Sequence, residues 1–314
     1  MREREIIELF LKEVELQGDL PLGDDAGAIK LGNAWIVVTS DMLVWGTDVP
    51  PIMTPEQAGM KVVIMNLSDV AAMGAKPLGF FFSLGIPRDI GEDVLRGIAK
   101  GIGRAANLYR VPVLSGDTNE GRELVIDGGA LGLTERPLLR SGARPGDLVC
   151  VTGDLGRALA GLLTWKKGLN ISPSIRRSLY EKLLEPTARV EEGIELGKVA
   201  NAAIDVSDGL SKELHILAEM SGVRIVVEED RIPIGEGVQE VAELLGFDPI
   251  ELALTSGEEF ELVFTVSPER VYELSFDFSI IGRVDAGKGV YIERGGRKER
   301  MPLFGWEHFA EGLL

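Results

Sequence analysis

The chain is short of the side chains that most enzymes use as nucleophiles or proton acceptors: among 314 residues there are one cysteine and two histidines. The single Cys150 permits no intramolecular disulfide and points to a reducing cytoplasm. It lies in "DLVCVTG", which reads as a strand, so its expected role is that of a small buried thiol. His215 falls in a helical pattern and His308 near the C-terminus. Neither assembles with a serine or cysteine into a nucleophilic arrangement, and both are expected to be packing or surface residues. Basic residues are also in deficit, 33 against 50 acids, for a net charge of −17. Such a surface repels nucleic acid and anionic membrane and makes both poor partners. No apolar run approaches the ~20 residues that span a bilayer. The N-terminal "MREREIIELFLKEVELQGD" reads as an acidic amphipathic helix, not a signal or transit peptide.

What the chain has in quantity is glycine, 39 residues, and an apolar content of 45%. Together with the length these indicate a turn-rich α/β protein large enough for two domains, each with its own core. Two glycine motifs invite a nucleotide-binding reading. "GRVDAGKG" (282–289) has Walker A spacing except that Gly289 stands where the magnesium-binding hydroxyl belongs. The residues after it, "GVYIERGG", alternate as a strand does, whereas a P-loop must lead into a helix. The stretch is therefore expected to be a hairpin turn. "GIGRAA" (101–106) fits a dinucleotide fingerprint but lies inside a helical pattern that begins near Asp89, not after a strand.

Along the chain, "AWIVVTSD" (34–41) reads as a strand ending in a polar tip. "TPEQAGMKVVIMNLSDVAAMG" reads as a helix with Thr54 as N-cap, Pro55 at N1, Gln57 at N3 and Gly74 as its stop. "LGFFFSLGI" reads as a buried strand and "DIGEDVLRGIAKGIGRAANLY" as a second capped helix. "VPVLSGD" and "ELVIDGGALGLT" complete a ββ-α-β-α-ββ half. The Arg-, Gly- and Pro-rich "TERPLLRSGARPGD" (134–147) marks the expected boundary between a domain of residues 1–137 and one of residues 138–314. In the second half, strands "DLVCVTG", "AAID", "VRIVVEE" and "FELVFTV" alternate with helices such as "LGRALAGLLTWKK" and "GLSKELHILAEM".

The acids fall at particular places in that outline. Asp24 and Asp25 lie in a turn, "PLGDDAG". Thr39, Ser40 and Asp41 are placed at one strand exit and Asp117 at another. Asp205 and Asp208 flank Ser207 where a strand gives way to a helix. Asp69 differs, since it sits on an apolar helix with Asn66 one turn before it. A carboxylate there is costly unless paired. One turn acid alone is ordinarily structural. Repetition of strand, then Gly or Ser, then Asp points instead to an all-oxygen site for magnesium, and so to phosphate chemistry. An acceptor that is itself a phosphate needs no general base, which agrees with the shortage of histidine.

The ordered set "GDDAG", "TSDMLVWG", "NLSDVAAMGAKP", "SGDT", "RSGARPGD", "IDVSDGL", "SGEEFEL" and "GWEHF" resembles the thiamine-monophosphate kinases, of the aminoimidazole ribonucleotide synthetase-like superfamily, over nearly the whole chain. The resemblance implies an α/β (α+β), two-domain PurM-like fold. Its N-terminal mixed sheet would form a barrel across a homodimer, and an α/β domain would follow it. It implies transfer of the ATP γ-phosphoryl to thiamine monophosphate, with several Mg2+ ions. By motif, Asp25, Thr39, Ser40, Asp41, Asp69, Asp117, Asp205 and Asp208 would bind metal, with Asp24 adjacent to Asp25 leaving that choice open. Gly116, Asp117, Arg140 and Ser207 would contact ATP. Glu258 and Trp306 would contact the thiamine moiety, an aromatic face suiting a planar cation. Asp48 stands where relatives carry a substrate-contacting histidine, and Ser115 and Ser256 replace glycines. Selenophosphate synthetases are disfavoured because no cysteine precedes Cys150, and the hydrogenase-maturation relatives because the chain ends in "EGLL". Aminoimidazole ribonucleotide synthetase and a non-catalytic nucleotide-binding scaffold remain alternatives.

Overall fold

The computed structural model describes residues 3–13, 19–20 and 23–307, so His308 lies outside the described residues. After α1 (Glu3–Glu13), the first half forms β1 (Gly27–Leu31), β2 (Ala34–Val44), a short α2 (Trp45–Asp48), α3 (Pro55–Ala72), β3 (Lys76–Ile86), α4 (Glu92–Leu108), β4 (Val113–Glu120) and β5 (Val125–Thr134). The five strands make one mixed sheet in the order β1-β2-β5-β3-β4, with only β3 and β4 parallel. α3 begins as the sequence requires. Thr54 Oγ1 accepts the Gln57 N–H and Gln57 answers at the Thr54 N–H, while Pro55 occupies a position whose N–H would be unsatisfied. Gly74 closes the helix at φ 66°. α4 starts later than expected, at Glu92 behind Gly91, with no side-chain cap.

Gly101 of "GIGRAA" has a packing role. A Cβ there would sit 1.9 Å from the Glu56 carbonyl oxygen, so the glycine lets α4 cross α3 at backbone contact. Both helices cover one face of the sheet, where Val37, Leu43, Leu67, Phe80 and Ile126 are buried. The other face is open. Ile29, Val38, Met42 and Leu133 are 38–57% exposed, far above what apolar strand residues show when covered. For the same reason β3, expected to be buried, has only one face covered.

Two strand ends differ from expectation. β2 runs on to Val44 and β4 to Glu120, so Thr39, Ser40, Asp41 and Asp117 lie within strands, not at their exits. Polar residues on a half-exposed strand do not terminate it. They alternate between its faces.

The second half contains β6 (Leu148–Thr152), α5 (Arg157–Lys167), α6 (Pro173–Leu184), α7 (Val190–Val199), β7 (Ala202–Asp205), α8 (Leu210–Ser221) and β8 (Arg224–Glu228). It continues with α9 (Val238–Leu245), α10 (Pro249–Thr255), β9 (Leu262–Val266), β10 (Phe278–Asp285), β11 (Gly289–Arg294) and β12 (Arg297–Arg300). The sheet order is β12-β11-β8-β10-β6-β9-β7. "GRVDAGKG" does connect strand to strand, but it is no hairpin. β8 lies between β10 and β11, antiparallel to the first and parallel to the second. Lys288 is exposed in that connection.

Leu214 and Leu217 of α8 pack with Val149, Ile204 and Ile225 on one face of this sheet. On its other face Phe264 and Val266 meet Leu196 of α7 and also Ala71 and Ala72 of α3. The long helix of the first half thus carries its C-terminal end onto the second sheet. A Cβ on Gly193 of α7 would lie 2.3 Å from the Ala71 carbonyl oxygen, so the two helices cross without intervening side chains. Among the described residues no helix is long and apolar enough to cross a membrane.

Candidate functional site

The crossing of α3 over the second sheet brings the scattered acids together. Asp69, near the end of α3, is half-buried beside β2 and accepts a hydrogen bond from Thr39 Oγ1 at 2.5 Å. One residue earlier on α3, Ser68 Oγ donates to Asp205 Oδ2 at 2.6 Å, and Asp205 is the last residue of β7. Asn66, a turn before, accepts the Asp41 N–H at 3.1 Å and donates from Nδ2 to the Val62 carbonyl at 2.8 Å. Asp25 arrives from the turn before β1. The carboxylates of Asp25, Asp69 and Asp205 each place an oxygen within 4.8 Å of the others.

Electrostatics follow from that geometry. Burial raises the Asp69 and Asp205 carboxyls well above the usual carboxylate range. Neighbouring acids add to it, Asp41 foremost for Asp69 and Asp25 for Asp205. Asp41 is pushed up to about 6, by burial first and then by Asp208, Asp25 and Asp127. Glu213 on α8 is pushed up to about 8, again by burial and then by Asp208.

Arg140 offsets part of this charge. Its Nη2 donates to Asp25 Oδ1 at 2.7 Å, its Nη1 to the Gly23 carbonyl at 2.8 Å, and its backbone N–H to Asp24 Oδ1 at 2.7 Å. Burial opposes the guanidinium charge, but Asp25 beside it raises its pKa overall. Asp24 is thus engaged by the backbone of Arg140, while Asp25 points into the cluster. Asp25 Oδ2 is buried with no hydrogen-bond partner, an orphaned oxygen on a carboxylate that also belongs to the three-acid cluster. An all-oxygen donor set with such an orphan fits a hard divalent cation of the magnesium type.

Ser207 and Asp208 follow Asp205 in the turn into α8. The Asp208 N–H is held by Glu213 Oε1 at 3.0 Å and its carboxylate by Lys212 at 2.5 Å. The Ser207 carbonyl accepts the Glu258 N–H at 2.7 Å, and the Asp208 carbonyl accepts the Trp306 N–H at 2.9 Å. Glu258 and Trp306, the two residues expected at the thiamine end, are therefore tied by their backbones to the acidic turn. Trp306 is 55% exposed. Asp48 ends α2, and its Oδ2 accepts the Val44 N–H at 2.7 Å.

Strand alternation separates the remaining residues. Thr39 and Asp41 face α3, whereas Ser40 faces the open side of the sheet and donates to Asp127 Oδ1 at 3.1 Å. Asp117 pairs with Ser83, Ser83 with Asp127 and Asp127 with Met42, which puts Asp117 and its neighbour strand residues in that same cross-sheet row. Gly116, next to it on the exposed strand β4, pairs with Phe82. The acids thus form two groups, an inner cluster at the junction of the halves and an outer row on the open face.

Four participants escaped the sequence reading. Lys61 is buried on α3 and donates to Glu258 and to the Asp48 carbonyl. Asp127 and Glu213 join the two acidic groups as described. Glu261, at the end of the 256–261 segment, is gripped by Lys182 at 2.6 Å and by Arg189 at 2.6 Å. Lys61 stands in "GMKVVIMNL", an apolar helix, and carried the same signal that singled out Asp69.

Comparison with known proteins agrees with this architecture. Residues 23–134 match the family model for the AIR synthase related protein N-terminal domain, and residues 144–295 match the one for its C-terminal domain. The chain is 57% identical to the thiamine-monophosphate kinase of Pyrococcus abyssi over 100% of this chain and 97% of that protein. It is 58% identical to the Pyrococcus horikoshii enzyme of the same name, over 99% and 97%. It superposes with a TM-score of 0.90 and 33% identity on a solved structure described as AaThiL complexed with AMPPCP and TMP, covering 98% and 97% of the two chains. The chain belongs to the thiamine-monophosphate kinase family, within the AIR synthase related proteins.

Proposed function

We infer that the protein transfers the γ-phosphoryl group of ATP directly onto the phosphate of thiamine monophosphate, giving thiamine diphosphate. The observation that carries this reading is the convergence of Asp25, Asp69 and Asp205, from three separate segments, to within 4.8 Å. Two polyanions must meet in such a reaction, and the demand is for charge neutralisation and alignment, not for a base. The family relationship and the AMPPCP- and TMP-bound relative supply the substrates.

Asp25, Asp41, Asp69, Asp205 and Asp208, with Thr39 orienting Asp69, would hold Mg2+ at the inner cluster. Ser40 and Asp117 would act from the open face. An Mg2+ ion held by these residues would supply the positive charge that lowers the cost of bringing the two anions together. Arg140 would offer its guanidinium to nucleotide phosphate, and Gly116, Asp117 and Ser207 would approach ATP through short side chains or backbone. Glu258, Trp306 and Asp48 would face the thiamine end, two carboxylates and an indole against a planar cation. Residues 1–137 would thus carry most metal and nucleotide ligands, and residues 138–314 would complete the cleft.

The open apolar face of the first sheet supports a homodimer in which two such sheets close a barrel across the two-fold. The shortage of cysteine supports a cytoplasmic setting. The test is an assay for thiamine diphosphate from ATP, Mg2+ and thiamine monophosphate, with thiamine as the control acceptor. Product from the phosphate but not from thiamine supports the reading, and ATP turnover independent of the acceptor overturns it.

A further inference from the structure

Lys61 is 1% exposed, in the middle of α3 between apolar neighbours. A lysine so deep is tolerated only when its charge is matched, and an aliphatic residue would fill the same volume at no desolvation cost. Its Nζ donates to the Asp48 carbonyl at 3.1 Å and to Glu258 Oε1. Glu258 is not itself buried, since its side chain is 42% exposed. A buried cation is thus holding a carboxylate that solvent reaches.

The backbone of Glu258 is held as firmly from the other side. Glu258 and Phe260 have φ of 58° and 50°, a left-handed conformation that is unfavourable for a non-glycine residue. Three hydrogen bonds keep it: Glu258 N–H to Ser207 O at 2.7 Å, Phe260 N–H to Val206 O at 2.9 Å, and Val206 N–H to Glu261 O at 2.7 Å. Strain maintained by this many contacts marks a segment whose exact placement matters.

We propose that Lys61 is a positioning residue for the acceptor substrate: one ammonium fixes both the Glu258 carboxylate and the Asp48 segment, joining the two halves of the chain and setting where Glu258 meets the cationic end of the acceptor. Glu258 Oε1 is engaged by Lys61, and the rest of the side chain stays open to solvent. The inference rests on reading Glu258 as a substrate contact, as given under Proposed function.

The experiment is a double-mutant cycle with Lys61→Met and Glu258→Gln in the full-length enzyme, following KM for thiamine monophosphate, KM for ATP and kcat. Loss of a charge-assisted contact predicts a rise of about tenfold in KM for the acceptor, with KM for ATP changed less than about twofold. The rise caused by Lys61→Met should vanish on the Glu258→Gln background, because Lys61 acts through Glu258. A folded Lys61→Met variant with unaltered acceptor KM overturns the proposal, and so do two effects that multiply independently. If methionine at 61 does not fold, Lys61→Gln keeps a donor for the Asp48 carbonyl and serves in the same cycle. A wild-type protein that does not phosphorylate thiamine monophosphate overturns the parent reading together with this one. Wild-type activity with a silent Lys61→Met overturns this one alone.

Discussion

Arg140 Nη2 and Asp25 Oδ1 meet at 2.7 Å, and the second oxygen of the same carboxylate is buried without a partner. Asp25 is therefore half satisfied by a fixed cation, while its carboxylate also sits within 4.8 Å of Asp69 and Asp205. That arrangement stores repulsion which a divalent ion would relieve, and it makes the stability of the protein depend on ligand and pH.

Asp69→Asn separates the cost of the charge from its use. In metal-free protein the amide removes a carboxyl whose charged form is opposed by desolvation and by Asp41, Asp205 and Asp25, so the melting temperature should rise. Turnover should fall by ~10²-fold or more, and the increase in melting temperature caused by Mg2+ should largely disappear. Thermal scans with EDTA and with Mg2+, beside steady-state rates, check all three. A variant that keeps both the Mg2+ shift and full activity removes Asp69 from the metal site.

Metal-free stability should decrease as pH rises from about 5 to 8. Asp41 has a folded pKa of about 6 against an ordinary 3.8, and Glu213 about 8 against 4.5. Between the unfolded and folded values the native state binds more protons than the unfolded one, so unfolding free energy falls with pH. A raised carboxylate pKa thus contributes stability at low pH that is lost above the folded value, on the order of 3 kcal/mol for a two-unit shift. Glu261, lowered by Lys182 and Arg189 despite burial, works the opposite way below its ordinary 4.5, which sets the lower limit of the window. Denaturant titrations in EDTA across this range measure the slope, and saturating Mg2+ should flatten it.

Asp117→Asn should behave differently from Asp69→Asn. Asp117 is exposed on an edge strand of the open face, so metal-free stability should change by no more than about 0.5 kcal/mol. If Asp117 binds metal or nucleotide, turnover still falls severely. A variant with normal kinetics removes it from the reaction.

Gly193→Val should loosen the junction of the two halves. Even a Cβ there meets the Ala71 carbonyl at 2.3 Å, so α7 must move off α3, at a cost of about 1–3 kcal/mol or more. Because α3 carries Ser68 and Asp69, the shift should also weaken Mg2+ binding, read by titration calorimetry. Lys288→Ala, by contrast, alters an exposed turn remote from these contacts and should leave ATP affinity unchanged.

Val38→Glu places a charge on the open apolar face and should convert a dimer into monomers in sedimentation velocity runs, with little change in monomer stability. A monomeric wild type at micromolar concentration contradicts the barrel assembly.

Local signals in the chain were enough to outline most elements. Thr54, Pro55 and Gln57 specify the start of α3 through hydrogen bonds within four residues, and Gly74 specifies its end by its backbone conformation. Such effects are local and can be read locally. The isolation of Asp69 on an apolar helix and the recurrence of aspartate after strands likewise pointed to an acidic site, and Lys61 carried a signal of equal strength that went unread.

What needed the folded chain was everything set by long-range contact. Alternation along β2 sent Thr39 and Ser40 to opposite faces, and only the position of α3 decided which face meets Asp69. The insertion of β8 between β10 and β11 turned an expected hairpin into a wider crossing, since a turn sequence does not say which strand will pair beside it. The sequence by itself determined which side chains could bind a cation and where α3 begins and ends. The tertiary structure decided which of them share a space, because that depends on close helix crossings such as Gly193 against Ala71, whose partners lie far apart in the chain.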